Sequence, residues 1–234
     1  MTEVASFHLA TFPYRRMMSR LLAVPAERWE MTQTHGCHLG KVMGTSKANT
    51  TRISFELRRW AILAIWENEA ARSQFFENAS ILKRWRSSAT TLQHYLLQPS
   101  ASRGTWNGAD PFPSVTSMNV SGGDIAVLTR ARVNMRKWWT FARSAGAVDD
   151  ALRVENDCVS AVGIGEWPIG EQATFSVWRS AKAIDAFAYR GDAHGDVIRR
   201  TFQENWYNEM LFARFAITEV ITEASGTDAA VGVA

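Results

Sequence analysis

The chain has 234 residues, 46% of them hydrophobic and 21% charged. That is enough apolar matter for the core of one large domain or two small fused ones, and too much for a largely disordered chain. The formal net charge is only +3 and no run of five basic residues occurs, which argues against nucleic acid as a partner.

Residues 3–12 alternate loosely and are rich in Val, Phe and Leu, the pattern of a strand. Pro13 sits where a helix can begin. Met17, Met18, Leu21 and Leu22 recur at helical spacing up to Val24, and Pro25 is expected to interrupt or end that helix. A second strand is expected over 35–43, a polar loop over 44–51 and a strongly apolar strand over 57–66. Asn68 is placed to cap the helix that follows and that buries Ala71, Phe75 and Phe76. A short helix over 81–86 and a strand over 91–98 close the first half, residues 1–100. Residues 101–123, rich in Gly, Pro, Ser and Asn, read as a linker.

From residue 124 the pattern starts again. A strand over 124–133 leads to a helix carrying Met135, Trp138, Trp139, Ala142 and Ala145. Strands over 157–166 and 171–178 flank a turn, Trp167-Pro168-Ile169-Gly170. A helix over 180–188, a second helical segment with His194 near its start, and a strand over 210–217 complete the second half, residues 124–221. Residues 222–234 read as a frayed tail. The halves share one order of elements, and Trp66 precedes Phe75 by the same nine residues that separate Trp178 from Phe187. The expected fold is therefore α+β: two tandem ferredoxin-like βαββαβ units whose sheets close a barrel within one chain.

Ten Trp and twelve Phe are many for this length. They fill cores everywhere, but their excess also suits a pocket for a flat or long apolar ligand. Cys37 and Cys158 form no C-x-x-C pattern and are expected to be free thiols. The first residues, M-T-E-V-A-S-F, lack the features of a signal peptide, and the longest apolar run, 60–66, is too short to span a bilayer. A cytoplasmic protein is expected, with loose contact to a membrane surface left open. The cluster His35-Gly36-Cys37-His38 lacks the second ligand pair of a structural zinc site. Neither a phosphate-binding loop nor a dinucleotide-binding glycine pattern is present. Arg130, Arg132 and Arg214 fall in strands expected to be buried and so need partners, Glu166 or Glu171 among the candidates. By the period of two, Arg130 and Arg132 share a sheet face and are expected to point into the barrel.

Several segments, in order and at similar spacing, resemble the spheroidene monooxygenase family of carotenoid-oxidising haem enzymes. They are A-I-L-A-I-W at 61–66, S-R-G-T-W-N-G-A-D-P-F at 102–112 and L-T-R-A-R-V at 128–133. G-I-G-E-W-P at 163–168, Q-A-T-F-S-V-W at 172–178, A-F-A at 186–188, the His194 segment and L-F-A-R-F at 211–215 continue the series. The resemblance spans roughly residues 35–217 and is weakest in the first helix and the loop before residue 57.

The resemblance implies a haem b enzyme that uses O2 and an external electron donor such as a ferredoxin to oxidise an apolar small molecule. It implies His194 as the iron ligand; its neighbours Ala193 and Gly195 are small enough to admit a large planar group. Trp178, Phe175 and Phe187 are expected to pack on the porphyrin, and Gln172 to face the distal side. Arg130 and Arg214 are the candidates for polarising an iron-bound ligand, and Arg132 for holding a propionate. His94, in the matching strand of the first half, is the rival ligand. The same barrel type hosts other chemistry, so three alternatives stand beside this reading: a haem lyase of the aldoxime-dehydratase type, a non-catalytic haem or apolar-ligand carrier, and a cofactor-free monooxygenase. Association into a homo-oligomer is left open.

Overall fold

A computed structural model describes residues 3–46, 56–115, 123–137, 152, 155–166, 171–190 and 207–224. The helix expected around Trp138, Trp139, Ala142 and Ala145, the turn Trp167 to Gly170 and the segment carrying His194 lie outside these residues. Eight strands form one closed antiparallel barrel. They are β1 (Val4–Thr11), β2 (Cys37–Thr45), β3 (Glu56–Trp66), β4 (Thr91–Gly104), β5 (Ile125–Val133), β6 (Cys158–Gly165), β7 (Glu171–Trp178) and β8 (Tyr207–Ala224). Around the barrel they run β1-β3-β2-β6-β7-β5-β8-β4, so each half of the chain supplies four adjacent strands. Four α-helices are described: α1 (Met17–Thr32), α2 (Glu69–Asn78), α3 (Ser80–Arg86) and α4 (Ala181–Arg190).

Side chains of a strand alternate between the sheet's two faces, and both faces here are packed. Ala5, Phe7, Leu9, Leu63, Ile65, Leu128, Phe175, Ala213 and Phe215 fill the barrel interior. Outside the first half, Phe12, Trp60, Ile62, Trp66, Phe75, Leu82 and Trp85 form a second core beneath the helices. Outside the second half, Ile125, Val127, Trp178, Ala183 and Ile184 form a smaller one under α4. The nine-residue spacings correspond to real contacts: the rings of Trp66 and Phe75 lie 4.7 Å apart, and those of Trp178 and Phe187 5.2 Å apart.

Several boundaries differ from expectation. The first helix does not end at Pro25: α1 runs on to Thr32 with Pro25 inside it. Val24, Glu27 and Met31 continue its buried face, and the buried Arg20–Glu27 pair bridges the proline, which offsets the lost backbone hydrogen bond. β4 continues to Gly104, into the stretch read as a linker; Pro99 is accommodated at an irregularity in its pairing with β8. β8 extends through Ala224, paired to Thr91, so residues 222–224 are strand rather than tail. Asn68 caps α2 as expected, its Oδ1 accepting from the Ala71 N–H at 2.9 Å.

The two seams between the halves are unequal. β4 and β8 pair along nearly their whole lengths. β2 and β6 pair only at Gly44–Gly165 and Thr45–Ile164, extended by Ser46, whose N–H donates to the Gly163 carbonyl at 2.8 Å.

Candidate functional site

The outer face of the second sheet is built in rows across β6, β7, β5 and β8. One row is Gly163, Thr174, Thr129 and Phe212; the next is Ala161, Ser176, Val127 and Arg214. Gln172 and Ala131 pair in a third. At the far end Cys158 pairs with Trp178, as Cys37 pairs with Trp66 in the first sheet. Counted from these Cys–Trp pairs, the first sheet carries Ile62 and His8 where the second carries Thr174 and Thr129, and Trp60 where the second carries Gln172. The large first-sheet residues fill the space beneath α1, α2 and α3. Their counterparts leave a floor of small side chains on which Thr129 is exposed and Thr174 and Gln172 are half-buried.

At the open seam this floor runs into a cavity of about 370 Å³. Its walls are Leu21, Val24 and Pro25 of α1, Trp60 and Gly44 of the first sheet, and Gly163, Gly165 and Gln172 of the second. Arg28 and Glu166 supply a polar rim. Arg28 Nε donates to the Val42 carbonyl at 3.2 Å, and its Nη2 to the Glu166 carbonyl. That volume falls within the range of small-molecule pockets.

The expected site residues divide between the sheet's two faces. Trp178, Phe187, Arg214 and Gln172 lie on the outer face. Phe175 does not share it: three residues from Trp178 in one strand, it turns into the barrel and stacks on Phe7 at 3.9 Å. Arg214 Nη2 donates to Asp185 of α4 at 2.5 Å and its guanidinium lies 5.5 Å from the Phe212 ring, while its buried Nε has no hydrogen-bond partner.

Arg130 is 2% exposed and points into the barrel mouth. Its Nη1 donates to Glu209 Oε2 at 2.6 Å, Glu171 Oε1 lies 3.6 Å from its Nη2, and its Cζ stands 4.7 Å from the Trp106 ring centroid. Arg132 corrects the expectation of a second buried arginine: at the end of β5 it reaches the rim, 45% exposed, paired to Glu171 at 2.6 Å. The motif at 102–112 closes this mouth. Trp106, 2% exposed, donates through Nε1 to Glu166 Oε1 at 3.0 Å, and Glu166 Oε2 pairs with Lys41 at 2.8 Å. Glu209 accepts from Thr105 Oγ1 at 3.0 Å and from the Gly108 N–H at 2.6 Å. Burial alone would raise the Glu209 carboxyl, but these donors and Arg130 outweigh it and hold its pKa at about 2. Glu209 escaped the sequence reading; its only signal was the polar residue required opposite a buried arginine.

His94 is fully buried on the helix side of the first sheet, where its Nδ1 lies 2.7 Å from Nδ1 of His8. Burial lowers its pKa to about 4 despite the opposing pull of Glu223, and with Phe76 packed at 4.9 Å it is a core residue. Both cysteines are free thiols; burial pushes Cys37 up to about 12 and Cys158 up to about 11, away from a reactive thiolate. Among the described residues no helix is long and apolar enough to cross a membrane.

No protein-family profile matches the chain. It is 34% identical over 186 residues to the spheroidene monooxygenase of Cereibacter sphaeroides, a match covering 79% of this chain and 56% of that protein. It is 34% identical over 176 residues to that of Rhodobacter capsulatus, covering 74% of this chain and 72% of the relative. Against that of Rubrivivax gelatinosus it is 32% identical over 180 residues, covering 77% and 68%. The chain thus spans little more than half the length of the first of these relatives. Among solved structures, an aldoxime dehydratase shares the fold with TM-score 0.63 at 10% identity, covering 93% of this chain and 82% of that one. Identity over two thirds or more of two curated relatives places the sequence with them: the chain belongs to the spheroidene monooxygenase family.

Proposed function

We propose that the chain is a haem-dependent monooxygenase that oxidises an apolar molecule, of carotenoid type or a smaller specialised metabolite. The observation that carries this reading is the small-residue floor outside the second sheet, opening onto the cavity beside α1. A porphyrin is flat and apolar with a polar edge. The floor offers a flat face of Gly163, Thr174, Thr129 and Ala161 that ends on Phe212, with buried Trp178 packed on Phe187 of α4 at its far end. Arg214, with its unpartnered buried Nε, supplies a charge for an anionic edge. These residues fit the group.

His194 is the iron ligand in this reading, four residues beyond the end of α4 in sequence. Haem, when bound, supplies activation of O2 with electrons from an external donor. The chain's own residues orient and shield. Leu21, Val24 and Trp60 bind an apolar substrate segment in the cavity. A cavity of about 370 Å³ takes one end of a long polyene rather than its whole length. Gln172 lies where the cavity meets the floor and presents a polar group to the reacting end. Arg130, on the other side of the sheet, acts as a positioning residue: it fixes β5 against β8 through Glu209. The two halves are read as tandem ferredoxin-like units, on the strength of their equal strand order and paired Cys–Trp positions.

The test is O2 uptake by haem-replete protein with a reductase system and a solubilised linear carotene. Substrate-dependent O2 consumption with one oxygen atom recovered in the product is expected. Turnover without O2 would move the assignment to lyase chemistry, and haem retention with no turnover under any reductant would move it to a carrier.

A further inference from the structure

The surface of α1 that faces away from the barrel is unusual. Met18, Leu22, Pro25 and Trp29 are spaced four, three and four residues apart, so they line one side of the helix. Met18 is 62% exposed, Leu22 77% and Trp29 68%, and Tyr14 just before the helix is 74% exposed. Scattered exposed apolar residues are ordinary, but a continuous stripe on one element is a mark of a binding surface. From residue 14 to 32 the exposed side chains include no acid; the only charges among them are Arg15 and Arg16. Glu27 is buried against Arg20 and Trp85. Glu30 turns toward α3, accepting from the Ile81 N–H at 2.8 Å and pairing with Arg84. Arg58 stacks on the Tyr14 ring at 4.1 Å and adds a third cation at the same end. Pro25 belongs both to the stripe and to the cavity wall, so the stripe borders the cavity mouth.

We propose that this face of α1 docks on the surface of a bilayer containing anionic lipid. Met18, Leu22 and Trp29 enter the boundary between headgroups and acyl chains, and Arg15, Arg16 and Arg58 engage the headgroups. Two copies of the chain stacked through this face would bring together side chains of one charge sign, whereas anionic headgroups complement them. Docking in this orientation sets the cavity mouth at the lipid boundary, where a molecule too apolar for water resides. That purpose rests on the apolar-substrate reading above; the binding itself does not.

The experiment is co-sedimentation of the full chain with vesicles of phosphatidylcholine alone, or with about one-third phosphatidylglycerol. Pelleting with the anionic vesicles, weakened by high salt, is expected. Leu22→Glu and Trp29→Glu should each lower the partition coefficient about tenfold, and Arg15→Glu with Arg16→Glu should remove the preference for anionic lipid. Both apolar sites are exposed, so the variants should unfold at the wild-type temperature; Leu22→Ser and Trp29→Ser replace them if they do not. Wild-type protein that stays in the supernatant with both vesicle types overturns the proposal, as does pelleting that none of the substitutions alters. A dimer that Leu22→Glu dissociates, with no vesicle binding, assigns the stripe to a second copy and overturns it equally. Vesicle binding needs neither cofactor nor turnover, so failure of the oxygenase reading would leave this outcome unchanged.

Discussion

Glu209→Gln is the perturbation that the geometry makes most quantitative. The carboxylate is 9% exposed and holds Arg130 at 2.6 Å, and its pKa lies at about 2 against an ordinary 4.5. A depression of that size corresponds to about 3 kcal/mol of stability. A depressed carboxyl contributes fully above its unfolded pKa, and the contribution fades as pH falls from about 4.5 toward 2. The amide keeps acceptor capacity for Gly108 and Thr105 but leaves a buried guanidinium without its nearest counter-charge, a loss of similar size. Urea unfolding at pH 7 should show Glu209→Gln weaker by about 3 kcal/mol, with Tm lower by roughly 6–12 °C. At pH 3 the gap to wild type should have narrowed, because Glu209 of the unfolded chain is by then protonated while the folded carboxylate, at about 2, is still largely ionised, so folding must release a proton against the acid. Adding Arg130→Met to Glu209→Gln should recover part of the loss, since the orphaned charge is gone. A gap at pH 3 as wide as at pH 7, or none at pH 7, would refute the reasoning that an ion pair closes this mouth of the barrel.

Other substitutions probe other layers. His94→Leu should flatten the acid limb of stability between about pH 6.5 and 4: the wild-type histidine is held low by burial, so its contribution is present above 6.5 and lost as pH falls toward about 4; equilibrium unfolding across that window checks it. Asn68→Ala, which removes the cap on α2, should cost about 1 kcal/mol in urea unfolding at neutral pH. Thr174→Phe fills the middle of the small-residue floor from a half-buried position. It should lower haem content at least tenfold, about 1.4 kcal/mol in binding, with Tm within a few degrees of wild type; absorbance per protein and a thermal melt read the two separately.

Much of the barrel was legible because it rests on period and spacing. The Trp66–Phe75 and Trp178–Phe187 intervals announced strand-to-helix contacts that the structure contains. Phe175 was legible but misjudged: an odd separation from Trp178 within one strand puts the two on opposite faces. Arg132 obeys the alternation of β5 yet escapes burial, since it lies at the barrel rim opposite Glu171, the first residue of β7, and pairs with it there; periodicity gives a face and not a depth. Pro25 misled because local backbone chemistry was weighed without the tertiary contacts of Glu27 and Met31. The ends of β4 and β8 were unreadable from composition, since each long strand is stabilised by the other across a separation of more than a hundred residues. Glu209 and the cavity at the β2–β6 seam arise only once both halves are closed on each other.

The central claim is that a flat cofactor lies on the outer face of the second sheet with His194 on its iron. The most direct measurement is the visible spectrum of protein purified from haem-replete cells, oxidised, then reduced with dithionite, then exposed to CO, in wild type and in His194→Ala. The account predicts a Soret band that shifts on reduction and again with CO in wild type, and that is lost or displaced in the variant. Colourless wild-type protein that still oxidises substrate, or a variant with full haem content and an unaltered spectrum, would contradict it.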